Sequence, residues 1–357
     1  MKLRINIWQI YFLTKIIYMF IALFVVPQFS SLGDTGRYLN AKPFYFVWSS
    51  SSSDLMDFLG GTFSYLFGKI FANILFILIS FYGVYYPIKK LKLEKKQLIL
   101  VLTLLSFPSF GIWTSIVTKE AFAVFYMGLI LGYLIDLIKG NLKKNYLFLF
   151  VGLFLCWIFK PQYLVGILVT IVFIYLHNIL KLKQEQNLLS FILMIIGSLI
   201  FLYIFRNEIN NLAFEIPRHF SMDSESTRPN DIWIYKNDIF WKAPYGMIVS
   251  FFGPTIDEAS SKLIHLIVFI ESLIIMIIFL FAVINLFLIS LATGKFNIYY
   301  FGIFFIILNW ILFVHYPMGI LNPGSAIRYR QGFYSFLVIL FYFLYRDILK
   351  RVFELKK

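Results

Sequence analysis

Long apolar runs recur along this sequence, and only short polar stretches separate them. The first is IWQIYFLTKIIYMFIALFVV at residues 7–26, and runs of about 18 or more apolar residues are long enough to cross a bilayer as helices. Apolar residues make up 60% of the chain and the mean hydropathy is +0.81, more than a soluble domain of this length can bury. Because backbone polar groups in lipid must be satisfied within the chain, we predict an all-α, polytopic transmembrane helical bundle.

The formal net charge of +14 comes largely from lysines and arginines in the short loops between the apolar runs. That placement follows the positive-inside rule and argues against binding to nucleic acid. The first run lacks a small-residue cleavage site, so we interpret it as a retained span, with both termini in the cytoplasm. The basic cytoplasmic segments are the N-terminus with Lys2 and Arg4, and residues 89–96, 139–144, 181–186, 294–295 and 346–357.

We expect one integral membrane domain over residues 1–357, with about ten spans and short interfacial helices in the outer loops. The long outer loop 206–262, between spans seven and eight, carries aromatic residues that favour packing over disorder. The spans cover residues 6–28, 64–88, 97–114, 121–138, 146–160, 163–180, 188–205, 263–291, 297–315 and 332–346, and the outer segments are 29–63, 115–120, 161–162, 206–262 and 316–331.

The segment GDTGRY (33–38) presents Asp34, Arg37 and Tyr38 just after the first span. Asp34 is either a solvated or helix-capping aspartate, since GDTG is good turn chemistry, or a general base. A carboxylate is suited to deprotonating a sugar hydroxyl that attacks an anomeric carbon. Arg37, three residues on, would keep Asp34 ionised if the two side chains meet.

Arg328 and Arg330 flank Tyr329 at the outer end of the last predicted span. Arginine binds phosphate in a bidentate manner and stays charged near lipid, so the pair suits the phosphate or pyrophosphate of a lipid-linked donor. The alternative is that these long cations merely snorkel to the interface.

Further outer residues are weaker candidates for the same site. Lys119 is a possible phosphate contact supported by Glu120, although a local ion pair explains the two equally well. Lys160 is similar, and Trp241 and Tyr245 would stack on sugars or line a lipid groove. The predicted set is therefore Asp34 as the catalytic group, Arg328, Arg330, Lys119 and Arg37 as phosphate-binding cations, and Tyr38, Glu120, Lys160, Trp241, Tyr245 and Tyr329 as supporting or glycan-contacting residues.

The chain resembles the C-type membrane glycosyltransferases, and more closely the bacterial O-antigen and capsular-polysaccharide repeat-unit polymerases. Four segments carry the likeness: GDTGRYLNA (33–41), FPSFGIWTSIVTKEA (107–121), APYGMIVSFFGPTIDEA (243–259) and NPGSAIRYRQGF (322–333). The resemblance implies an inverting transfer from an undecaprenyl-linked sugar donor at the outer face of the bacterial inner membrane. It assigns the family's first-loop aspartate to Asp34 and its arginine cluster to Arg328 and Arg330.

Two departures favour polysaccharide assembly over protein O-glycosylation. The first loop reads GDTG where protein mannosyltransferases carry paired acidic residues, and we see no large soluble C-terminal domain. The expected partners are a polyprenyl-linked oligosaccharide donor and acceptor, membrane lipid and other polysaccharide-assembly proteins. Cys156 is the single cysteine and the four histidines lack metal-ligand spacing, so no metal or cofactor is expected.

Three alternatives remain open at this stage. A transporter or flippase of lipid-linked oligosaccharide would use Glu271 and Lys15, which are ionisable residues inside predicted spans. An inverted repeat would favour it, and we find none. A structural scaffold predicts that no single outer residue matters, and a membrane acyltransferase would normally need a histidine in a charged context.

Overall fold

The structure is a computed structural model that describes residues 6–46, 51–141, 144–219, 227–294 and 296–354. Throughout these ranges the regular secondary structure is helical and no strand occurs, which confirms the all-α fold class. The basic residues Lys2, Arg4, Lys143 and Lys295 lie outside the described residues.

The chain divides into two compact units. Unit 1 comprises residues 1–161 and 331–340, and unit 2 comprises residues 162–330 and 341–357. The last helix, α17 (Pro323–Glu354), contributes to both. Unit 1 otherwise contains α1 (Ile7–Phe24), α2 (Thr35–Asn40), α3 (Ser52–Phe67), α4 (Lys69–Leu91), α5 (Lys95–Leu104), α6 (Pro108–Trp113), α7 (Lys119–Ile138) and α8 (Tyr146–Phe159). Unit 2 contains α9 (Leu164–Leu180), α10 (Gln184–Ile204), α11 (Arg206–Glu215), α12 (Asp238–Trp241), α13 (Ala243–Phe252), α14 (Ile256–Ser261), α15 (Leu263–Thr293) and α16 (Ile298–Leu321).

Within the described ranges, eight segments are helical, long and apolar enough to cross a membrane, as in a multi-pass membrane protein. The predicted count of about ten is therefore not confirmed. The eight are Ile7–Gln28, Lys69–Leu91, Lys119–Ile138, Pro161–Leu180, Gln184–Ile204, Leu263–Thr293, Ile298–Leu321 and Pro323–Lys350.

The two other predicted spans, 97–114 and 146–160, do not form membrane-length helices. The first is broken into α5 and α6, because Pro108 has no N–H to continue a helix and instead begins α6. The second is α8, whose 14 residues extend about 21 Å against a hydrocarbon core of about 30 Å.

The predicted outer loop 316–331 is also mostly helical. The helix α16 continues to Leu321 and α17 begins at Pro323, so Asn322 alone separates them. Proline suits the first position of a helix, and Asn322 Oδ1 accepts a hydrogen bond from the Ser325 N–H at 2.8 Å. Arg328 and Arg330 therefore lie within a helix, not in a loop before it.

A close backbone approach holds α4 against α7 in unit 1. A Cβ placed on Gly128 would lie 1.9 Å from the carbonyl oxygen of Gly83, and one on Gly83 would lie 2.3 Å from that of Val124. Helices in lipid associate through such small residues, because van der Waals contact replaces the hydrophobic effect there. The pair runs parallel: Asn73 near the start of α4 accepts from Val117 N at 2.8 Å, and Lys90 at its end pairs with Asp136 of α7.

The interrupted segment between α4 and α7 is supported by a polar face of α1. Tyr11, Lys15 and Tyr18 follow helical spacing, so their side chains project from one face. Tyr18 Oη donates to the Ser106 carbonyl at 2.7 Å and Tyr11 Oη to that of Leu105 at 3.4 Å, beside the α5–α6 break. Lys15 Nζ donates to the Thr114 carbonyl at 3.0 Å, where α6 ends.

The segment Thr114–Thr118 is buried although it is not helical. Backbone groups in such a place need partners inside the protein, since lipid supplies none. Ser80 Oγ donates to the Thr114 carbonyl at 2.7 Å, and Thr118 Oγ1 to that of Trp113 at 2.7 Å. The non-helical segment between α6 and α7 is therefore stabilised by specific hydrogen bonds within unit 1.

The described part of the long loop 206–262 of unit 2 contains four short α-helices, α11 to α14, and contributes to a buried cluster. The Trp233 side chain is 3% exposed and donates through Nε1 to Tyr316 Oη at 3.2 Å. The apolar helix α13 packs on α16, where Ser250 Oγ donates to the Tyr316 carbonyl at 3.0 Å. The cluster comprises Ala213, Trp233, Ile239, Ala243, Tyr316, Ile320 and Leu321.

Contacts also group the predicted loops within each unit. In unit 1, Lys139 Nζ donates to the Lys90 carbonyl at 2.7 Å, which joins the predicted inner segments 89–96 and 139–144, and Lys90 also pairs with Asp136 at the end of α7. In unit 2, Gln184 donates to the Phe296 carbonyl, and Tyr300 donates to Asp347 near the start of the predicted tail. This grouping agrees with the assignment of these segments to one side of the membrane, which remains a prediction.

Replacing Gly128 by alanine should destabilise unit 1 by about 1–3 kcal/mol, because the new Cβ overlaps the Gly83 backbone. The measurement is thermal unfolding of the detergent-solubilised protein. The matched control is Gly197→Ala in α10, where a Cβ meets nothing within 4 Å. That change should be neutral or slightly stabilising, since alanine is the better helix former. Equal effects of the two substitutions would contradict the close approach.

Candidate functional site

The candidate catalytic residue Asp34 precedes the short helix α2, which lies directly on α3. A Cβ on Gly60 would be 2.7 Å from the Tyr38 carbonyl oxygen, and one on Gly61 would be 2.4 Å from that of Ala41. The two glycines thus let the backbone of α2 rest on α3. The Phe44 N–H then donates to Thr62 Oγ1 at 3.0 Å, which fixes the chain after α2.

Arg37 joins two carboxylates at this position. Its Nε donates to Asp57 Oδ1 at 3.2 Å, and its Nη1 lies 3.7 Å from Asp34 Oδ1. The sequence left open whether Asp34 and Arg37 meet, and in the structure they do, although the shorter contact of Arg37 is with Asp57. Tyr38 Oη donates to Asp34 Oδ2 at 3.5 Å, and the Arg37 guanidinium lies 5.0 Å from the Tyr38 ring centre.

The charges around Arg37 favour its cationic form. Burial by itself lowers the pKa of Arg37, but Asp57, Tyr38 and Asp34 more than offset this and hold the pKa above its ordinary value. A guanidinium shared by two carboxylates offers little net positive potential to a further anion. The geometry therefore favours a role for Arg37 in orienting carboxylates over its predicted role in binding phosphate.

A cavity of about 290 Å³ opens beside this ion cluster. Its size is near the lower limit of small-molecule sites, and its walls carry several polar groups, as such sites require. Lys42 Nζ lies 5.1 Å from the ring centre of Tyr45, whose side chain is 57% exposed. The lining residues are Arg37, Ala41, Lys42, Tyr45, Asp54 and Asp57.

Sequence reasoning missed the two aspartates of α3. Asp54 and Asp57 are three residues apart in SSDLMDF, so they share a helix face. Once this segment was predicted to be an interfacial helix, the three-residue spacing could have predicted that the two carboxylates lie side by side. Lys42 and Tyr45 had no comparable signal, because only the turn after α2 brings them to the cavity.

Lys119 begins α7 and reaches α3. Its ammonium donates to Ser52 Oγ at 3.0 Å and to Ser53 Oγ at 2.8 Å. Glu120 is 5% exposed in the first turn of the same helix, where a carboxylate is favoured by the helix dipole. Lys160 ends α8, and its N–H donates to the Cys156 carbonyl at 2.7 Å. The structure thus places the Lys119 ammonium at the N-terminal end of α3.

The side chains of Arg328 and Arg330 in α17 have different environments within unit 2. Arg330 is 2% exposed, and its Nη1 donates to the Phe251 carbonyl and to Ser272 Oγ, both at 2.7 Å. It thereby satisfies the C-terminal end of α13, where a cation is favoured. Arg328 is partly exposed, and its guanidinium lies over the Tyr329 ring at 4.7 Å. Of the two, Arg328 is the better placed to meet a ligand.

The predicted glycan-stacking aromatics, Trp241 and Tyr245, lie on the surface of unit 2. Their exposed fractions are 80% and 61%, so both rings are accessible. Trp241 ends α12 and Tyr245 lies in the first turn of α13. They do not contribute to the buried cluster around Trp233.

Unit 2 holds an ion pair that the sequence did not suggest. Arg228 donates to both carboxylate oxygens of Glu258, through Nε to Oε1 and through Nη2 to Oε2, the latter at 2.7 Å. Its Nη1 also donates to the Ile320 carbonyl at 2.8 Å, at the C-terminal end of α16. Glu258 accepts from Thr255 N at 2.8 Å as part of the capping box of α14. The pair thus ties three elements together.

The comparisons with known proteins do not extend this description. No protein-family model, curated protein or solved structure matches the chain. Among the described residues, no group of three or more His, Cys, Asp or Glu side chains could hold a metal ion. Function therefore has to be argued from the two units themselves.

Glu258→Gln should lower the melting temperature at neutral pH by several degrees, since it removes a charged partner of a partly buried arginine. Burial raises the pKa of Glu258, but hydrogen bonds from Arg228 and Thr255 outweigh it and hold the pKa below its ordinary value. Because its folded-state pKa is depressed, ionised Glu258 contributes its full stabilisation of the fold at any pH well above the ordinary glutamate pKa. This stabilisation is lost as pH falls through the lower folded-state pKa.

The measurement is the melting temperature of both proteins over a pH series, with the exposed neighbour Asp257→Asn as control. The gap between wild type and Glu258→Gln should close on acidification, and Asp257→Asn should change little. A gap that stays constant with pH would contradict the assignment.

Proposed function

We propose that the protein is a membrane glycosyltransferase of surface-polysaccharide assembly, acting as a repeat-unit polymerase. It takes glycan from an undecaprenyl-linked phosphate or pyrophosphate donor at the outer face of a bacterial inner membrane. Both termini are cytoplasmic, and other polysaccharide-assembly proteins are its neighbours. The observation that supports the proposal most is the polar cavity at α2–α3, with Asp34 joined to it through Arg37.

The proposed reaction is a direct displacement. An acceptor hydroxyl attacks the anomeric carbon, a C–O bond forms, and the bond from that carbon to the donor phosphate oxygen breaks. The leaving phosphate takes the electron pair, and Asp34 accepts the hydroxyl proton. The Asp34 side chain is 39% exposed, so a hydroxyl can reach it.

The predicted phosphate-binding cations differ in how accessible their side chains are. Arg330 stabilises the end of α13, and Arg37 is shared by two carboxylates. Lys119 and Arg328 are the remaining candidates of the predicted set, because both are partly exposed. Their charge would stabilise the leaving group as its negative charge develops.

A transporter or flippase is the second candidate, and discontinuous helices favour it. Transporters place binding sites at broken helices near buried ionisable residues. Unit 1 has such a break beside Lys15, and unit 2 has the buried Glu271 in α15. The Lys15 ammonium also donates to Thr114 Oγ1 at 2.6 Å, however, and is 1% exposed. These contacts support a structural role for Lys15.

Asp34→Asn should reduce transfer by about 10²–10⁴-fold, the range for loss of a general base. The test is mass spectrometry of lipid-linked glycans in a strain that lacks the chain and carries either wild type or variant. Complete single repeats should accumulate, and wild type but not Asp34→Asn should restore long polymer. The exposed Asp231→Asn, in unit 2, is the control and should restore polymer fully.

Other outcomes would redirect or refute the proposal. An incomplete repeat would indicate a transferase that adds one sugar. Full rescue by Asp34→Asn would refute the site, and complete repeats confined to the inner leaflet would favour a flippase. Protein levels in the membrane should be equal for all variants.

Lys15→Met separates the two candidate functions. If Lys15 supports the backbone, its loss leaves the Thr114 carbonyl and hydroxyl without the ammonium, which costs about 1–3 kcal/mol. Thermal unfolding should therefore show a destabilised protein that still supports some polymer formation. The neighbouring Thr14→Val is the control, because the Thr14 hydroxyl bonds within its own helix. Loss of function without loss of stability would support the transporter.

A further inference from the structure

The two ends of unit 1 differ in charge. The helices α4 and α7 run parallel, so their first residues lie at the end that carries α2 and α3, and their last residues lie together at the opposite end. We call this opposite end the lysine end, and its described charged residues are Lys89, Lys90, Lys92, Glu94, Lys95, Lys96, Asp136, Lys139 and Lys144. Seven lysines and two carboxylates give it a net charge of +5 at neutral pH.

The end that carries α2 and α3 is close to neutral. Its described charged residues are five cations and four carboxylates, namely Arg37, Lys42, Lys69, Lys119, Lys160, Asp34, Asp54, Asp57 and Glu120. The basic character of unit 1 is therefore concentrated at the lysine end.

The two carboxylates of the lysine end are engaged by the protein itself. Asp136 is 4% exposed, its Oδ2 pairs with Lys90, and its Oδ1 accepts from Asn141 Nδ2 at 2.8 Å. Glu94 is exposed and forms a capping box with Gln97 at the start of α5. Against this one exposed carboxylate stand five exposed lysines, namely Lys89, Lys92, Lys95, Lys96 and Lys139. The surface at the lysine end is therefore strongly positive.

Aromatic contacts indicate the depth of the lysine end in a membrane. Trp8 near the start of α1 packs edge-on against Tyr85 near the end of α4, with ring centres 4.9 Å apart. The Lys89 ammonium lies 5.5 Å from the centre of the Tyr85 ring. Tryptophan and tyrosine concentrate at the depth of the lipid headgroups, and lysine side chains extend along apolar surface to reach the same depth. The position of Lys89 is thus the one expected beside lipid phosphates.

We propose that the lysine end of unit 1 is a binding surface for the headgroups of anionic phospholipids. Clusters of several lysines next to a membrane helix attract such headgroups, because the anionic leaflet carries a negative surface potential. The contact of Lys89 with Tyr85, which packs on Trp8, favours a lipid over a soluble phosphate compound as the occupant. The inference does not depend on the proposed reaction.

Unit 2 offers a matched comparison. Its basic segment 181–186 lies between α9 and α10 and contains Lys181, Lys183 and Glu185, all exposed. Two lysines and one carboxylate give this segment a net charge of only +1. The positive-inside rule applies equally to both basic regions, whereas lipid binding through charge density requires the larger excess of the lysine end.

The test measures phospholipid binding to the full-length protein in a neutral detergent by native mass spectrometry. The probes are phosphatidylglycerol and phosphatidylcholine with identical acyl chains, and wild type should bind phosphatidylglycerol more tightly. Lys95→Gln combined with Lys96→Gln should weaken phosphatidylglycerol binding about tenfold at low salt, since each lysine near an anionic surface contributes up to roughly a factor of five. Lys181→Gln combined with Lys183→Gln removes the same charge from unit 2 and should have a much smaller effect.

Further variants separate charge from folding. Lys95 and Lys96 begin α5, where cations oppose the helix dipole, so the double glutamine variant should melt no lower than wild type. Lys95→Arg combined with Lys96→Arg keeps both charges and should retain binding. Lys89→Gln combined with Lys92→Gln is an independent removal of two charges and should weaken binding to a similar extent.

Three results would overturn the inference. The first is equal binding of the two phospholipids by wild type, and the second is an equal loss of binding in the glutamine variants of unit 1 and unit 2. The third is displacement of phosphatidylglycerol by millimolar glycerol phosphate, which would assign the surface to a soluble phosphate compound instead.

Discussion

The requirement that buried backbone groups be hydrogen-bonded organises much of this structure. Lipid offers no partners, so each interruption of a buried helix needs donors and acceptors from the protein itself. In unit 1, Tyr11, Lys15 and Tyr18 of α1 donate hydrogen bonds to backbone carbonyls at the helix breaks before and after α6. In unit 2, Arg330 and Arg228 perform the same task at the ends of α13 and α16. These polar side chains therefore act chiefly as hydrogen-bond donors to backbone carbonyls.

This support places the candidate site of unit 1. The buried break ends at Thr118, which caps α7, and α7 then presents Lys119 to the first residues of α3. Gly60 and Gly61 of α3 allow α2 to pack closely on α3. The helix α2 in turn places Arg37 between Asp34 and Asp57. The cavity therefore rests on helices whose positions follow from satisfied hydrogen bonds, the arrangement that a precise binding site needs.

The sequence predicted the fold class and most of the membrane-length helices, because these depend on local composition. It also directed attention to Asp34 and Arg37, which do meet. Apolar character alone predicts one span over residues 97–114, whereas Pro108 in the same run marks the point at which the helix is interrupted. The sequence could not assign partners to Lys15 or Arg330, because those partners come from helices distant in sequence.

The sequence by itself determined an all-α chain with long apolar helices, because only helices satisfy their own backbone in such runs. It also determined where ionisable residues stand along those helices. Tertiary structure alone decided which of them face solvent and which hold a carbonyl. Arg328 and Arg330 are two residues apart, yet one is partly exposed and the other is bonded to Phe251 and Ser272. The physical reason is that burial and partnership depend on packing between helices, which no single run encodes.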